Sequence, residues 1–268
     1  MRHAIMVIGY GDSKILQETI NILDDTDIDF YIHWDKKYKL PKLNSVHSKL
    51  FFINRSKVYW GTDTQVIAEH RLFESVYNSK FNYDYVHLIS SSDIPLMTRD
   101  YFKNFFKDDA YISFQNPVTE LMRTRVKYYY PFRNVNIRNK ICHVIFVSTA
   151  KLFNKLLGIN RLKQGNEVRK GTNWISLRSN LLKEILEYPN YDMFLHSFLA
   201  DEIYVQTILS RFNKNENKTY SARYIDWNRG QPYTFNLSNV RELKNLINTK
   251  YAFARKVTDV RVPLQIFK

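Results

Sequence analysis

Cysteine is nearly absent from this sequence: Cys142 is the only one in 268 residues. A lone cysteine excludes an internal disulfide and any cysteine-built zinc site, and it fits a reducing compartment. The sequence also shows no long uncharged apolar run and no N-terminal secretion signal, so a soluble or at most peripheral, cytoplasmic protein is expected. Acids are scarce beside bases, with Asp+Glu 26 against Lys+Arg 40 and a formal charge of +14. The natural partners of such a chain are anionic: nucleic acid, an acidic membrane surface or a phosphorylated small molecule.

What is present points to a folded globule. Hydrophobic residues reach 44% and aromatics 15%, and the length suffices for one full core, so a single domain over residues 1–268 is expected. Residues 3–9 form a short apolar run closed by Gly9-Tyr10-Gly11, and helical spacing follows over 15–23. That order of strand, turn and helix opens a nucleotide-binding α/β fold. Lys14 stands where a dinucleotide fingerprint needs its third glycine, so no nicotinamide site is expected. Residues 30–35 read as a second strand ending in Asp35. Open α/β sheets bind ligands at the carboxyl ends of their strands, which makes Asp35 a candidate for a base or ribose, with loop capping as the alternative.

Further along, a helix is expected over 64–77 with Thr62 and Asp63 as candidate caps. A buried strand over 84–90 runs into a polar turn at Asp93, which stands among serines without a second acid. Asp25, Asp27 and Asp29 read as a solvated turn at the other end of the sheet. Residues 120–138 start at Glu120 and interleave Arg123, Arg125, Lys127, Arg133 and Arg138 with Tyr128, Tyr129, Tyr130 and Phe132. Charge with flat rings suits a sugar or nucleic-acid groove; a strand with one solvated face is the alternative. Residues 141–158 are an apolar helical stretch with Lys151 and Lys155, read as core, with a membrane-surface patch as the alternative. A strand over 171–178 opens on Gly171, and Ser179 is read as the cap of a helix that ends before Pro189. Residues 213–219 read as a polar loop, 223–227 as a strand, 237–247 as a helix, and the end as an extended tail.

The stretch 198–212 reads as one helix, with Phe198, Val205, Leu209 and Phe212 along one stripe. Glu202 falls on that stripe, whereas Asp201 lies roughly 100° further round and is expected to face water or the first turn. Glu202 is therefore read either as a half-shielded general base or as an acid complementing the helix dipole.

Seven blocks then occur in a recognisable order: Tyr31-Ile-His-Trp-Asp35, Trp60-Gly61, the run from His87 to Leu96, Gly171-Thr-Asn-Trp-Ile-Ser-Leu177, Ala200-Asp-Glu202, Arg223-Tyr-Ile-Asp-Trp227 and Phe253-Ala-Arg-Lys256. Together they resemble the core-2/I-branching N-acetylglucosaminyltransferase and peptide O-xylosyltransferase family, with residues 115–170 unanchored. The resemblance implies an α/β GT-A fold, with a Rossmann-like half and a mixed sheet flanked by helices. It implies inverting transfer from a UDP-sugar, UDP-GlcNAc or a related donor, to a hydroxyl of a glycan or lipid-linked glycan. It implies no metal and no other cofactor, with cations in place of the usual divalent ion. Glu202 matches the base, Arg223 and Lys256 the residues on the donor diphosphate, and Asp35 the acid at the nucleotide end. Gly9 and Asp93 are added to the donor side, and Trp174, Glu120 and Arg123 to the acceptor side. Vertebrate relatives carry disulfides and an anchor, so a bacterial, cytoplasmic member in surface polysaccharide synthesis is expected. Peripheral contact with an anionic membrane fits the charge. Nucleic acid is not expected as a partner, although a basic nucleic-acid-binding α/β module is the competing reading of +14.

Overall fold

The computed structural model describes residues 1–162, 167–212 and 220–268. In chain order its elements are β1 (His3–Gly9), α1 (Lys14–Leu23), β2 (Ile28–Trp34), β3 (Leu50–Phe52), α2 (Thr64–Tyr77), β4 (Tyr85–Ser90), β5 (Ile94–Pro95), α3 (Arg99–Phe105) and β6 (Ala110–Tyr111). There follow α4 (Glu120–Lys127), α5 (Lys140–Cys142), a π-helical stretch His143–Ser148, α6 (Thr149–Leu156), β7 (Ser176–Arg178), α7 (Leu181–Leu186) and α8 (Tyr204–Ile208). The chain closes with β8 (Arg223–Ile225), α9 (Val240–Lys244), β9 (Phe253–Arg255) and α10 (Arg261–Ile266).

A six-stranded sheet runs in the order β3-β2-β1-β4-β7-β6. The first four strands are parallel, and β7 is antiparallel to both neighbours. β1 and β2 are buried along their whole length, as expected where a parallel strand has helices on both faces. Alternation divides their side chains. Ala4, Met6 and Ile8 pack with Val66, Phe73 and Val76 of α2, while Ile5 and Val7 pack with Leu16 and Ile20 of α1 and Phe102 of α3. A small sheet, β5-β9-β8, lies beyond β4 with α9 and α10 over its own core around Phe235 and Val257. A fourth cluster joins Tyr130, Phe132, Ile137, Val147, Ala150 and Phe198.

Several expectations change. Residues 198–212 are not one helix: Leu199 is left-handed at φ +49, a 3-10 turn spans Ala200–Glu202, and α8 begins only at Tyr204. The wheel that placed Glu202 inside and Asp201 outside does not apply, and Asp201 is the buried one. Residues 120–127 are helical and not a strand. The stretch read as core over 141–158 is helical, yet most of its large side chains face water. Asp29 is no solvated turn residue; it is buried and holds Arg2 and the Tyr83 hydroxyl. Asp63 caps nothing with its side chain and instead receives Arg133 in a two-pronged pair, while the Ser179 hydroxyl bonds the Tyr83 carbonyl. The end of the chain folds as α10, with Pro263 early enough to leave the turn intact. The polar loop read over 213–219 lies outside the described residues.

Candidate functional site

The sheet's strand order reverses direction between β1 and β4, so the crevice beyond their carboxyl ends is where an open α/β sheet receives a ligand. β1 ends there at Gly9, where a Cβ would lie 2.3 Å from the Trp34 ring, so any side chain would displace a buried tryptophan. The Gly9 carbonyl accepts from Asp35 N–H at 2.8 Å. Asp35 is buried: its Oδ1 accepts from the backbone N–H of Lys37 (3.0 Å) and Val58 (3.3 Å), and Lys37 Nζ stands 3.3 Å from Oδ2. Loop capping is thus part of its role, at the end of β2 beside the crevice.

Asp93 shapes the tip of β4. It accepts from Ser90 N–H (2.8 Å), Ser90 Oγ (2.9 Å) and Arg255 Nη1 (2.8 Å). Arg255 in turn lies over the Trp174 ring, 4.0 Å from its centroid. Asp93 therefore positions an arginine. Among the described residues no three His, Cys, Asp or Glu side chains gather as metal ligands.

The two cations matched to the diphosphate part company. Arg223 is buried, and its guanidinium donates to the carbonyls of Ile175 (2.7 Å), Ser221 (2.7 Å) and Leu88 (3.3 Å) and to Ser176 Oγ (3.0 Å). Burial pushes its pKa down from the usual arginine range, with Asp93 opposing. Its hydrogen bonds tie β4, β7 and β8 together. Ser176 also joins a buried chain through His87 to His3, and both imidazoles are pushed below their ordinary pKa by burial, His3 to about 4. Lys256, by contrast, spends only backbone groups, on Tyr233 and Phe235, and its half-buried ammonium has no ion pair among the described residues. Arg255 carried no separate signal in the sequence; it is the neighbour of a residue singled out by resemblance.

Chain entering β7 runs along the same edge, because β7 is antiparallel to β4 with Ser176 opposite His87. It reaches the turn that carries Glu202. Gly171 N–H donates to the Glu202 carbonyl at 2.9 Å, and a Cβ on Gly171 would sit 1.8 Å from the Ser113 carbonyl oxygen, so only glycine allows this approach. Phe198 N–H bonds the Arg125 carbonyl and Leu199 N–H the Gly61 carbonyl, which fixes the turn from its other side.

Within the turn two adjacent acids differ sharply. Asp201 points into the protein, accepts from Gln65 Nε2 at 2.9 Å, and leaves Oδ1 without a partner. Burial, then the neighbouring Glu202 charge, push its carboxyl up to about 7. Glu69, fully buried and bonded to Asn173 Nδ2 at 3.0 Å, is raised well above the usual range by burial and by Asp201. Glu202 remains 31% exposed; its Oε2 is held by Arg125 (2.8 Å) and Lys170 (3.2 Å), and its Oε1 has no protein partner among the described residues. One oxygen is anchored, and the other is left to whatever enters the crevice.

The acceptor-side candidates are placed unequally. Trp174 follows Gly171, which bonds the Glu202 carbonyl, by three residues and carries the Arg255 guanidinium over its ring. Glu120 and Arg123 pair with each other at 3.6 Å on the outer side of α4, where Glu120 also takes Lys127 at 2.9 Å. Arg125, two residues and roughly 200° further round the helix, is the one that reaches Glu202. Helical spacing alone distinguishes Arg125 from Arg123, once the segment is known to be a helix.

Comparison with curated proteins returns no match. Residues 4–246 match the family described as Core-2/I-Branching enzyme, which takes in every element from β1 to α9 and the whole Glu202 turn. A mixed sheet flanked by helices, with its edge residues gathered at the strand tips, fits that match: the chain belongs to the Core-2/I-branching enzyme family and is a glycosyltransferase of GT-A-like fold.

Proposed function

We propose that this glycosyltransferase moves a sugar from a UDP-sugar, UDP-GlcNAc or a related donor, to a hydroxyl of a glycan or lipid-linked glycan, with inversion and without a divalent metal. The observation that carries the reading is Glu202, a carboxylate with Oε2 clamped by Arg125 and Lys170 and Oε1 unpartnered among the described residues. In the proposed step Oε1 takes the acceptor O–H proton as that oxygen bonds to the anomeric carbon from the face opposite the diphosphate. The bond from that carbon to the phosphate oxygen breaks, and its electron pair leaves on UDP. Lys256 and Arg255 at the end of β9 are the cations on that side, and a fixed positive charge where negative charge develops lowers the barrier. Arg223, with both terminal nitrogens committed to carbonyl and hydroxyl acceptors, holds the platform beneath them.

The test is release of UDP from a panel of UDP-sugars, with water as the acceptor, for the wild type and Glu202→Gln. One donor should be consumed, consumption should survive a chelator, and the variant should lose roughly 10²-fold or more in rate with donor affinity unchanged. Near wild-type turnover by Glu202→Gln overturns the assignment of the base. Complete loss in EDTA with recovery in manganese overturns the metal-free reading.

A further inference from the structure

From Lys140 to Leu156 the chain is continuously helical, as α5, the π-helical stretch and α6, a length of about 25 Å. Its start is capped by Asn139, whose side chain accepts from the N–H of Ile141 and Cys142. Only a narrow line of this helix is buried: Val147 and Ala150 enter the cluster around Phe198, and Asn154 bonds the backbone of Tyr129. The opposite side is apolar and uncovered. Ile141, Val144, Ile145, Leu152, Phe153 and Leu156 are each between 56% and 71% exposed. Soluble monomers rarely leave a contiguous apolar patch beyond a few hundred Å², and larger ones mark docking surfaces. No helix of the described residues is long and apolar enough to cross a membrane.

Charge selects the occupant. Between Glu120 and Glu167 the sequence has ten lysines and arginines and not one aspartate or glutamate. Several are already committed, as Arg125 is to Glu202 and Arg133 to Asp63. Lys140 and Lys155, on the helix itself, have no ion pair among the described residues, and Arg138 lies over the exposed ring of Trp60. An apolar helical face flanked by unpaired cations matches a bilayer interface with anionic headgroups, where the face enters the acyl boundary and the cations meet phosphate. A second copy of this chain would instead set like charges against each other, which opposes association.

We infer that the helix from Lys140 to Leu156 is a docking surface for an anionic lipid bilayer, lying in the interface plane. This binding does not depend on the transfer reaction proposed above. Because the buried line of the helix shares a core with Phe198, four residues before Glu202, docking would hold the acceptor side of the enzyme beside the lipid surface.

The experiment is co-sedimentation of the full chain with phosphatidylcholine vesicles, with and without about one third phosphatidylglycerol. Anionic vesicles should be bound at least ~10-fold more tightly than neutral ones, less so as salt rises. The pairs Leu152→Asp/Leu156→Asp and Lys140→Glu/Lys155→Glu, each replacing exposed side chains, should keep the melting temperature and donor hydrolysis while losing about 10-fold or more in vesicle affinity. Equal binding to neutral vesicles, no binding, or binding indifferent to both pairs overturns the inference. So does an oligomer in solution that the leucine pair dissolves in the absence of any vesicle binding.

Discussion

The carboxyl edge of the sheet and the helix from Lys140 to Leu156 use opposite means to present chemistry. At the edge, charged groups are locked by internal partners: Asp93 accepts three hydrogen bonds, Arg223 donates to four acceptors, and Glu202 keeps one oxygen on two cations. Along the helix, large apolar side chains and unpaired lysines are left without internal partners among the described residues. Under the proposals above, the first place works by preorganisation and the second by a surface that an outside partner satisfies.

That contrast breaks most easily at Arg223. Arg223→Ala takes one donor from each of four buried acceptors, of which the Ile175 carbonyl keeps Leu88 N–H and Ser176 Oγ keeps His87, and it leaves a cavity, so unfolding in urea should show a loss of about 3–5 kcal/mol; a loss below 1 kcal/mol would mean that the guanidinium is no structural tie. Lys256→Ala should do the reverse, leaving stability intact while costing about 2–4 kcal/mol in transition-state stabilisation, read from kcat/KM. Unchanged kinetics in a folded Lys256→Ala protein would remove Lys256 from the donor side.

Asp201 sharpens the comparison through pH. With its folded pKa near 7, above the unfolded carboxylate value, the native state binds more protons across the window from about 4 to 7, so its contribution to stability falls as pH rises through that window. Asp201→Asn keeps an acceptor for Gln65 and should raise stability relative to wild type by on the order of 1–3 kcal/mol at pH 8, with the gain shrinking towards pH 5. Melting curves at the two pH values check this, and a gain that does not shrink refutes it. His3 and His33 act in the other direction: both are pushed down to about 4 by burial, so their stabilisation is lost as pH falls from about 6.5 through 4. The smallest effect belongs to the helix, where Leu156→Gln should leave stability within about 0.5 kcal/mol because the side chain is already in water.

The sequence made the strands legible where a local pattern suffices. β1 is an apolar run after His3, β2 and β4 are apolar runs broken only by Asp29, His33 and His87, and α1 and α2 carry helical spacing, so the α/β order follows without tertiary knowledge. The site was legible less evenly. Glu202 was singled out, but for a burial that belongs to Asp201, because one left-handed residue at Leu199 resets the turn. Choosing Arg125 over Arg123 needed the helix first. Arg223 and Arg255 differ in how many carbonyls surround them, a property of packing that no residue identity records. Residues 141–158 read as core because apolar spacing tells which face of a helix is greasy and not what covers it.

Leu199 has one more consequence, for the order in which the enzyme becomes active. Its N–H closes on Gly61 and that of Phe198 on Arg125, while Gly171 holds the Glu202 carbonyl, so the carboxylate is placed by three segments far apart in the chain. Contacts of such long sequence separation form late, after loop closure has been paid for in entropy. A nick that lets residues 113 and 171 drift apart therefore frees the Glu202 turn from one of the three segments that set it. Under the proposed mechanism, activity is a readout of finished assembly.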